Sequence, residues 1–349
     1  MTKFSALDNQ PDRPRFHFML QLPPPPFVLE PPKHYHFNIY YQLQEIMAPA
    51  LEKQVDLSPA ASPNLSAPQT PVTGLPHPDD RYIRLGLEGV EWQEYRSTRL
   101  FRKAIDLQTD ELRSGNAGQY AVFAPVTIDQ LATIGRIRDR DHKSLRFLYL
   151  HSERALIVKI SPGLVHGLAK RRLASVFNKK VVQMGLDNEL AELGCVAFEG
   201  RDSSKEADCT WIPAPDYGNF PALVIECGIS GSAERLEMEA GWWLDNLGGE
   251  VKVVLVISIS QADRKVSLDQ WELATAPNPE VSEGRSHPTI AVPTKTGHVE
   301  IVDGMATGAP LRLDFKKIFH SDPGEGQGDI VFTKEDIEGY AAHVWRFSQ

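Results

Sequence analysis

Two apolar runs and the segment between them limit what this chain can become. PALVIECGISGS (221–232) and EVKVVLVISIS (250–260) each carry a short run of apolar, largely β-branched residues. Such runs are too continuous for a strand with one wet face, so each is expected to be buried on both sides. Between them, AERLEMEAGWWLDNLGG (233–249) has helical spacing. Ser230, Gly231 and Ser232 make its entry turn, and Gly248 and Gly249 stop it. A buried strand, a helix and a second buried strand predict a parallel pair joined by a crossover. The fold class is therefore α/β.

Two acids stand in this frame. Glu226 directly follows Ala222-Leu223-Val224-Ile225 and is expected at the carboxyl end of its strand, where α/β sheets usually bind ligands. Asp208 lies just upstream in KEADCTWIP (205–213), an apolar-edged segment read as one strand. A carboxylate in such a place is costly unless it is paired, hydrogen-bonded or bound to metal. On neighbouring strands the two acids would suit one divalent cation, and metal-assisted phosphodiester hydrolysis begins from such a pair. The competing reading is an acid that caps the following turn or pairs with Arg235.

The flanking sequence sets the domain plan. Residues 1–80 contain the tetraproline Pro23 to Pro26 and a Ser/Ala/Thr-rich stretch punctuated by proline, which predict a disordered arm with one short helix within 35–55. Residues 81–144 carry a turn near Gly86 and Gly89, then a helix IDQLATIGRIRDR capped by Thr127. In 143–163 two apolar runs are expected to pair as strands. A long helix follows, with Leu164, Leu168, Leu173, Val176 and Phe177 on its buried face and Lys170, Arg171, Arg172, Lys179 and Lys180 on a basic flank. A second helix is expected over 187–193. Beyond Trp271 come a turn-rich insertion at 275–288, strands in HVEIVDG and LRLDFKKIF, and a last helix capped by Thr333.

Other features exclude more than they assign. A formal charge of −9 argues against non-specific coating of nucleic acid but leaves room for a local basic groove. Cys195, Cys209 and Cys227 have no metal-type spacing and read as reduced thiols. No apolar run approaches the ~20 residues that span a bilayer, and MTKFSALDNQPDRPR lacks a signal-peptide core. The expected location is intracellular, cytoplasmic or nuclear, with no membrane partner. His166 reads as a structural histidine, Glu189 and Glu192 as a solvated helix face, and Trp242 and Trp243 as sheet packing. GEGQG (324–328) lacks the features of a phosphate-binding loop.

The order of SPG-LVHGL, SKEAD, LVIECGIS, a WW-bearing helix and VKVVLVISI resembles restriction-endonuclease-like proteins of the PD-(D/E)xK superfamily. Within it, the chain is similar to Uma-type proteins and an uncharacterised eukaryotic microbial branch. The resemblance covers 145–273, with a weaker echo in LRLDFKKIF and AAHVW. It implies a restriction-endonuclease-like mixed sheet core flanked by helices over 145–273, elaborated by 81–144 and extended by 274–349. It also implies a Mg²⁺- or Mn²⁺-dependent nuclease acting on DNA or RNA, with Asp208 and Glu226 holding the metal. Lys170, Arg171, Lys205 and Lys252 are the expected nucleic-acid contacts. This chain departs from the pattern at two positions. Ala207 replaces the proline before the aspartate, and Gly228 stands where the superfamily places lysine. Some branches carry that cation on the following helix, which makes Arg235 the substitute that steadies the scissile phosphate. Lys205 and Lys252 are weaker candidates. Arginine is a poor proton shuttle because it is always charged. The alternative is a catalytically inactive module that binds nucleic acid or protein.

Overall fold

The computed structural model describes residues 85–161, 163–214, 220–278 and 289–347. The Pro-rich arm and most of the turn-rich insertion lie outside the described residues. Turns at Gly86 and Gly89, both with positive φ, lead into β1 (Trp92–Gln93) and helix α1 (Thr98–Arg113). Then come β2 (Tyr120–Phe123), helix α2 (Ile128–Asp141), β3 (Leu145–Leu150) and β4 (Ala155–Ile160). Helix α3 (Gly163–Gln183) precedes the short strands β5 (Leu190–Leu193), β6 (Ala197–Glu199), β7 (Ser203–Glu206) and β8 (Cys209–Pro213). Strand β9 (Leu223–Ile229), helix α4 (Ala233–Asn246) and β10 (Val253–Ser260) form the expected crossover unit, with β9 and β10 parallel. The remainder is β11 (Lys265–Pro277), β12 (Thr289–Val302), β13 (Met305–Thr307), β14 (Leu311–Leu313), helix α5 (Phe315–Phe319), β15 (Ile330–Phe332) and helix α6 (Lys334–Arg346).

The strands form two large mixed sheets and a small pair. One sheet runs β1-β2-β4-β3-β7-β6, the other β13-β12-β11-β10-β9-β8-β5, and β14 pairs with β15. Strands from either side of residue 144 thus share the first sheet. Side-chain alternation then distributes the core. Leu223, Ile225 and Cys227 of β9 pack with α3, α5 and α6 on one face of the second sheet. Val224, with Val254 and Val256 of β10, faces the other way, against α4 and the inner face of the first sheet, which supplies Val122, Leu148 and Ile157. The outer face of the first sheet is covered by Phe101 and Ile105 of α1 and Ile134 of α2. The fold is a mixed α/β arrangement of sheets flanked by helices.

Several local expectations hold. Thr127 and Thr333 both close capping boxes, and Gly248 and Gly249 end α4 with positive φ. Residues 145–160 form an antiparallel hairpin. Others are corrected. The predicted helix at 187–193 is instead a turn followed by edge strand β5, paired antiparallel with β8, because so short a segment makes no stable helix of its own. Phe315–Phe319 leaves the predicted strand and forms α5, capped by the Asp314 carboxylate, which accepts from the Lys317 N–H. On α3, Leu173 and Phe177 are buried as expected, but in the first turns Val165, His166 and Ala169 take the buried face while Leu164 is 60% exposed. The segment 205–213 is not one strand. It ends β7 of the first sheet, crosses at Ala207 and Asp208, and begins β8 of the second. Glu226 is in mid-strand rather than at a carboxyl end, level with Val256 of β10. None of the helices among the described residues is long and apolar enough to cross a membrane.

Candidate functional site

The crossing between the sheets places Asp208 where it can meet both. Its side chain and that of Glu226 have no exposed surface, and both converge on the ammonium of Lys159. Lys159 Nζ lies 2.6 Å from Glu226 Oε2, 3.2 Å from Asp208 Oδ2 and 3.1 Å from Glu239 Oε2. Glu239 comes from α4, on the apolar stripe it shares with Leu236, Ala240 and Trp243. Lys205 adds a second buried cation, 3.0 Å from Glu226 Oε1 and 3.3 Å from Glu239 Oε2. Lys170 of α3 donates to Asp208 Oδ1 at 2.7 Å, and Arg146 Nε stands 3.4 Å from the same oxygen. Neutral donors fill the remaining directions: the Cys227 N–H reaches Asp208 Oδ2, and the Trp243 indole reaches Glu226 Oε1.

Burial alone would favour the neutral form of every member. It pushes Asp208 up, but Lys159, Lys170, His166 and Arg146 together hold that carboxyl well below its ordinary range. For Glu239 the same contest, with burial opposed by Lys159, Lys205 and Arg235, ends at about 2. Burial pulls Lys159 down, yet Glu226, Glu239 and Asp208 raise it well above the usual lysine value. His166 is different. Burial outweighs the attraction of Asp208 and pushes its imidazole down to about 4, so the neutral ring donates from Nε2 to the Cys227 carbonyl at 2.7 Å. The structural reading of His166 agrees with that contact.

Of the expected substitutes for the missing lysine, the structure brings Lys205 into contact with Glu226 and Glu239, while Arg235 acts on Glu239 from one turn along α4. Arg235 is buried beneath the Gly86 turn, donates to the Leu85 carbonyl and lies over the Tyr120 ring. Lys252 donates to the Gly249 carbonyl, and its own N–H bonds the Ala222 carbonyl at the far end of β9. Of the four expected nucleic-acid contacts, Lys170 and Lys205 are engaged in the cluster and Arg171 is exposed. On the same helix Lys180 pairs with Asp336. Trp242 and Trp243 pack as expected, their indoles donating to Ser203 and Glu226. Glu192 sits on β5 and accepts from Asn178.

Sequence reasoning passed over Lys159 and Glu239. The rule that singled out Glu226, a charge in a buried strand, applies equally to Lys159 in ALIVKI. Gly228 has a physical reason to lack a side chain. A Cβ there would meet Gln119 Oε1 at 2.7 Å and both Leu236 methyls at 2.9 Å, and that Gln119 oxygen is held by the Ile229 N–H. Gly228→Ala is therefore expected to cost about 1–3 kcal/mol through overpacking, read as a lower urea midpoint. An unchanged midpoint would show that Gln119 yields freely.

The acids as arranged do not fit a divalent ion. Mg²⁺ needs carboxylate oxygens at about 2.1 Å in near-octahedral array, and the point that Asp208, Glu226 and Glu239 share is taken by Lys159 Nζ. Among the described residues no group of three or more His, Cys, Asp and Glu side chains is disposed to hold a metal.

The elements and their ionic centre define a two-sheet α/β protein closed over a buried ionic cluster. No family model matches the chain, and no curated protein matches it in sequence. Among solved structures it is similar to a candidate nuclease belonging to DUF820 from Anabaena variabilis ATCC 29413, at 11% identity and a TM-score of 0.36, over 62% of this chain and 99% of that one. A likeness of that size assigns neither family nor activity.

Proposed function

We propose that this chain is a nuclease-type α/β module that binds nucleic acid without hydrolysing it. One observation carries the reading: the point shared by the acids is filled by Lys159, with Asp208 and Glu226 fully covered. A scissile phosphate has no access to carboxylates so enclosed, and the cation that would polarise it has no place there. Nucleic acid is the ligand class that the resemblance to restriction-endonuclease-like proteins implies. Arg171 and Lys179, exposed on one flank of α3, are the residues left to meet its backbone. With a chain charge of −9, that contact is local and salt-sensitive.

A second reading has one observation in its favour. An aspartate, a glutamate and a lysine meet within 3.2 Å, so Lys159 would supply from β4 the lysine absent at Gly228. Incubation with mixed DNA and RNA in Mg²⁺ or Mn²⁺ separates the two. The expected result is salt-dependent binding, weakened in Arg171→Glu/Lys179→Glu, with no cleavage. Cleavage that disappears in Asp208→Ala would overturn the proposal in favour of the second reading, and absence of any binding would end the nucleic-acid assignment.

A further inference from the structure

We infer that Lys159 and Lys205 together stand in for a divalent cation, a built-in pair of charges that occupies an acidic site and ties the two sheets to one another. The inference rests on the non-hydrolytic reading above and concerns the same acids, but its test reads metal affinity and stability rather than cleavage.

The geometry has three parts. Carboxylates from three separate elements, the β7–β8 link, β9 and α4, gather on one Nζ at 2.6–3.2 Å. Acids repel one another at such range unless a cation lies between them. Next, the charges are divided by sheet. Lys159 and Lys205 lie on β4 and β7 of the first sheet, whereas Glu226 and Glu239 belong to the second sheet and its crossover helix. Both lysines contact both glutamates, so the ionic contact is also a contact between layers. The third part is charge. Asp208, Glu226 and Glu239 face Lys159, Lys170 and Lys205 at contact distance, with Arg146 beside Asp208 and Arg235 acting on Glu239. Removing Lys159 and Lys205 takes two positive charges from Glu226 and its neighbours, which one divalent ion restores. Metal–oxygen distances near 2.1 Å would then require the acids to draw in by about 0.5–1 Å from their present ammonium contacts. Truncating the lysines provides the room.

The experiment compares wild type, Lys159→Ala and Lys159→Ala/Lys205→Ala by Mn²⁺ titration, with electron paramagnetic resonance for free ion and urea denaturation for stability. Wild type is expected to show no saturable site and no change in midpoint. The double variant should bind one Mn²⁺ per chain, at least about tenfold more tightly than wild type, with a midpoint that rises as the site fills. Asp208→Ala added to the double variant should abolish that gain. If the variants do not fold alone, the inference requires that they refold with Mn²⁺ present, and failure of that rescue overturns it. Folded variants without saturable Mn²⁺ binding also overturn it, as does wild type binding Mn²⁺ equally well. Nuclease activity in wild type would instead refute the non-hydrolytic reading, leaving the metal titration as a separate result.

Discussion

Glu226→Ala is expected to cost about 3–5 kcal/mol of folding stability, the usual penalty for breaking a fully buried ion pair from one side. The substitution leaves Lys159 and Lys205 facing Asp208 and Glu239 without their shared partner, and it strands the Trp243 indole N–H. An unmet buried donor adds its own desolvation penalty. Glu226→Gln should cost less, since an amide oxygen still accepts from one donor. Urea denaturation of the three proteins at neutral pH checks the prediction. A loss below about 1 kcal/mol, the range of exposed pairs, would mean that water reaches the cluster and the lysines find it as a partner.

Acid is expected to weaken the protein well before ordinary carboxylates titrate. The imidazole of His166 is pushed from 6.5 down to about 4 by burial, with Asp208, Lys170 and Lys159 facing it. The unfolded chain therefore takes up a proton near pH 6.5 that the folded chain refuses until about pH 4. Stability from this group is complete above the higher value and is lost as pH falls between the two, by about 3 kcal/mol in all. Asp208 and Glu239 act in the same direction at lower pH. Their carboxyls are depressed in the fold, to about 2 for Glu239, so the stability they contribute above pH 4.5 drains away below it. Lys159, raised in the fold, contributes below its ordinary value of 10.5 and loses that contribution only in strong alkali. Urea midpoints at a series of pH values from neutral to 4 should fall steadily. His166→Gln, which keeps a donor for the Cys227 carbonyl, should flatten that limb. A midpoint that falls equally in wild type and variant would assign the acid loss to other groups.

Glu226 and Lys159 show how much of the site was legible. Both are charges set in short apolar strands, and burial makes such a charge conspicuous wherever it occurs. Glu239 is nearly as visible, because it interrupts the Leu236–Ala240–Trp243 stripe of α4. Their mutual contact was not legible. The three acids lie 49, 67 and 80 positions from Lys159, and nothing local to ALIVKI indicates which of them it will meet. The link at Ala207 and Asp208 was misread for a related reason. Alternation predicts a strand on either side, but only the neighbours available for pairing decide that β7 joins one sheet and β8 the other. Arg235 illustrates the converse. Its position at the start of α4 is correct, yet it packs under the Gly86 turn, where its charge acts on Glu239 one turn along the helix rather than standing in contact with Asp208.

By itself, the amino-acid sequence determined the elements whose signals are local: the buried parallel strands, the crossover helix between them, the capped helices α2 and α6, and two acids too costly to leave unpartnered. Backbone propensity, capping and side-chain period act over a few residues, and those effects survive in any context. Only the tertiary structure decided what partners those acids have. Stacking the inner face of one sheet on α4 and the second sheet brings Lys159 and Lys205 onto Glu226 and Glu239, and Lys170 of α3 onto Asp208. Coulomb attraction between side chains far apart in sequence becomes strong only after the sheets have excluded water, and the sheets are placed by the packing of the whole core.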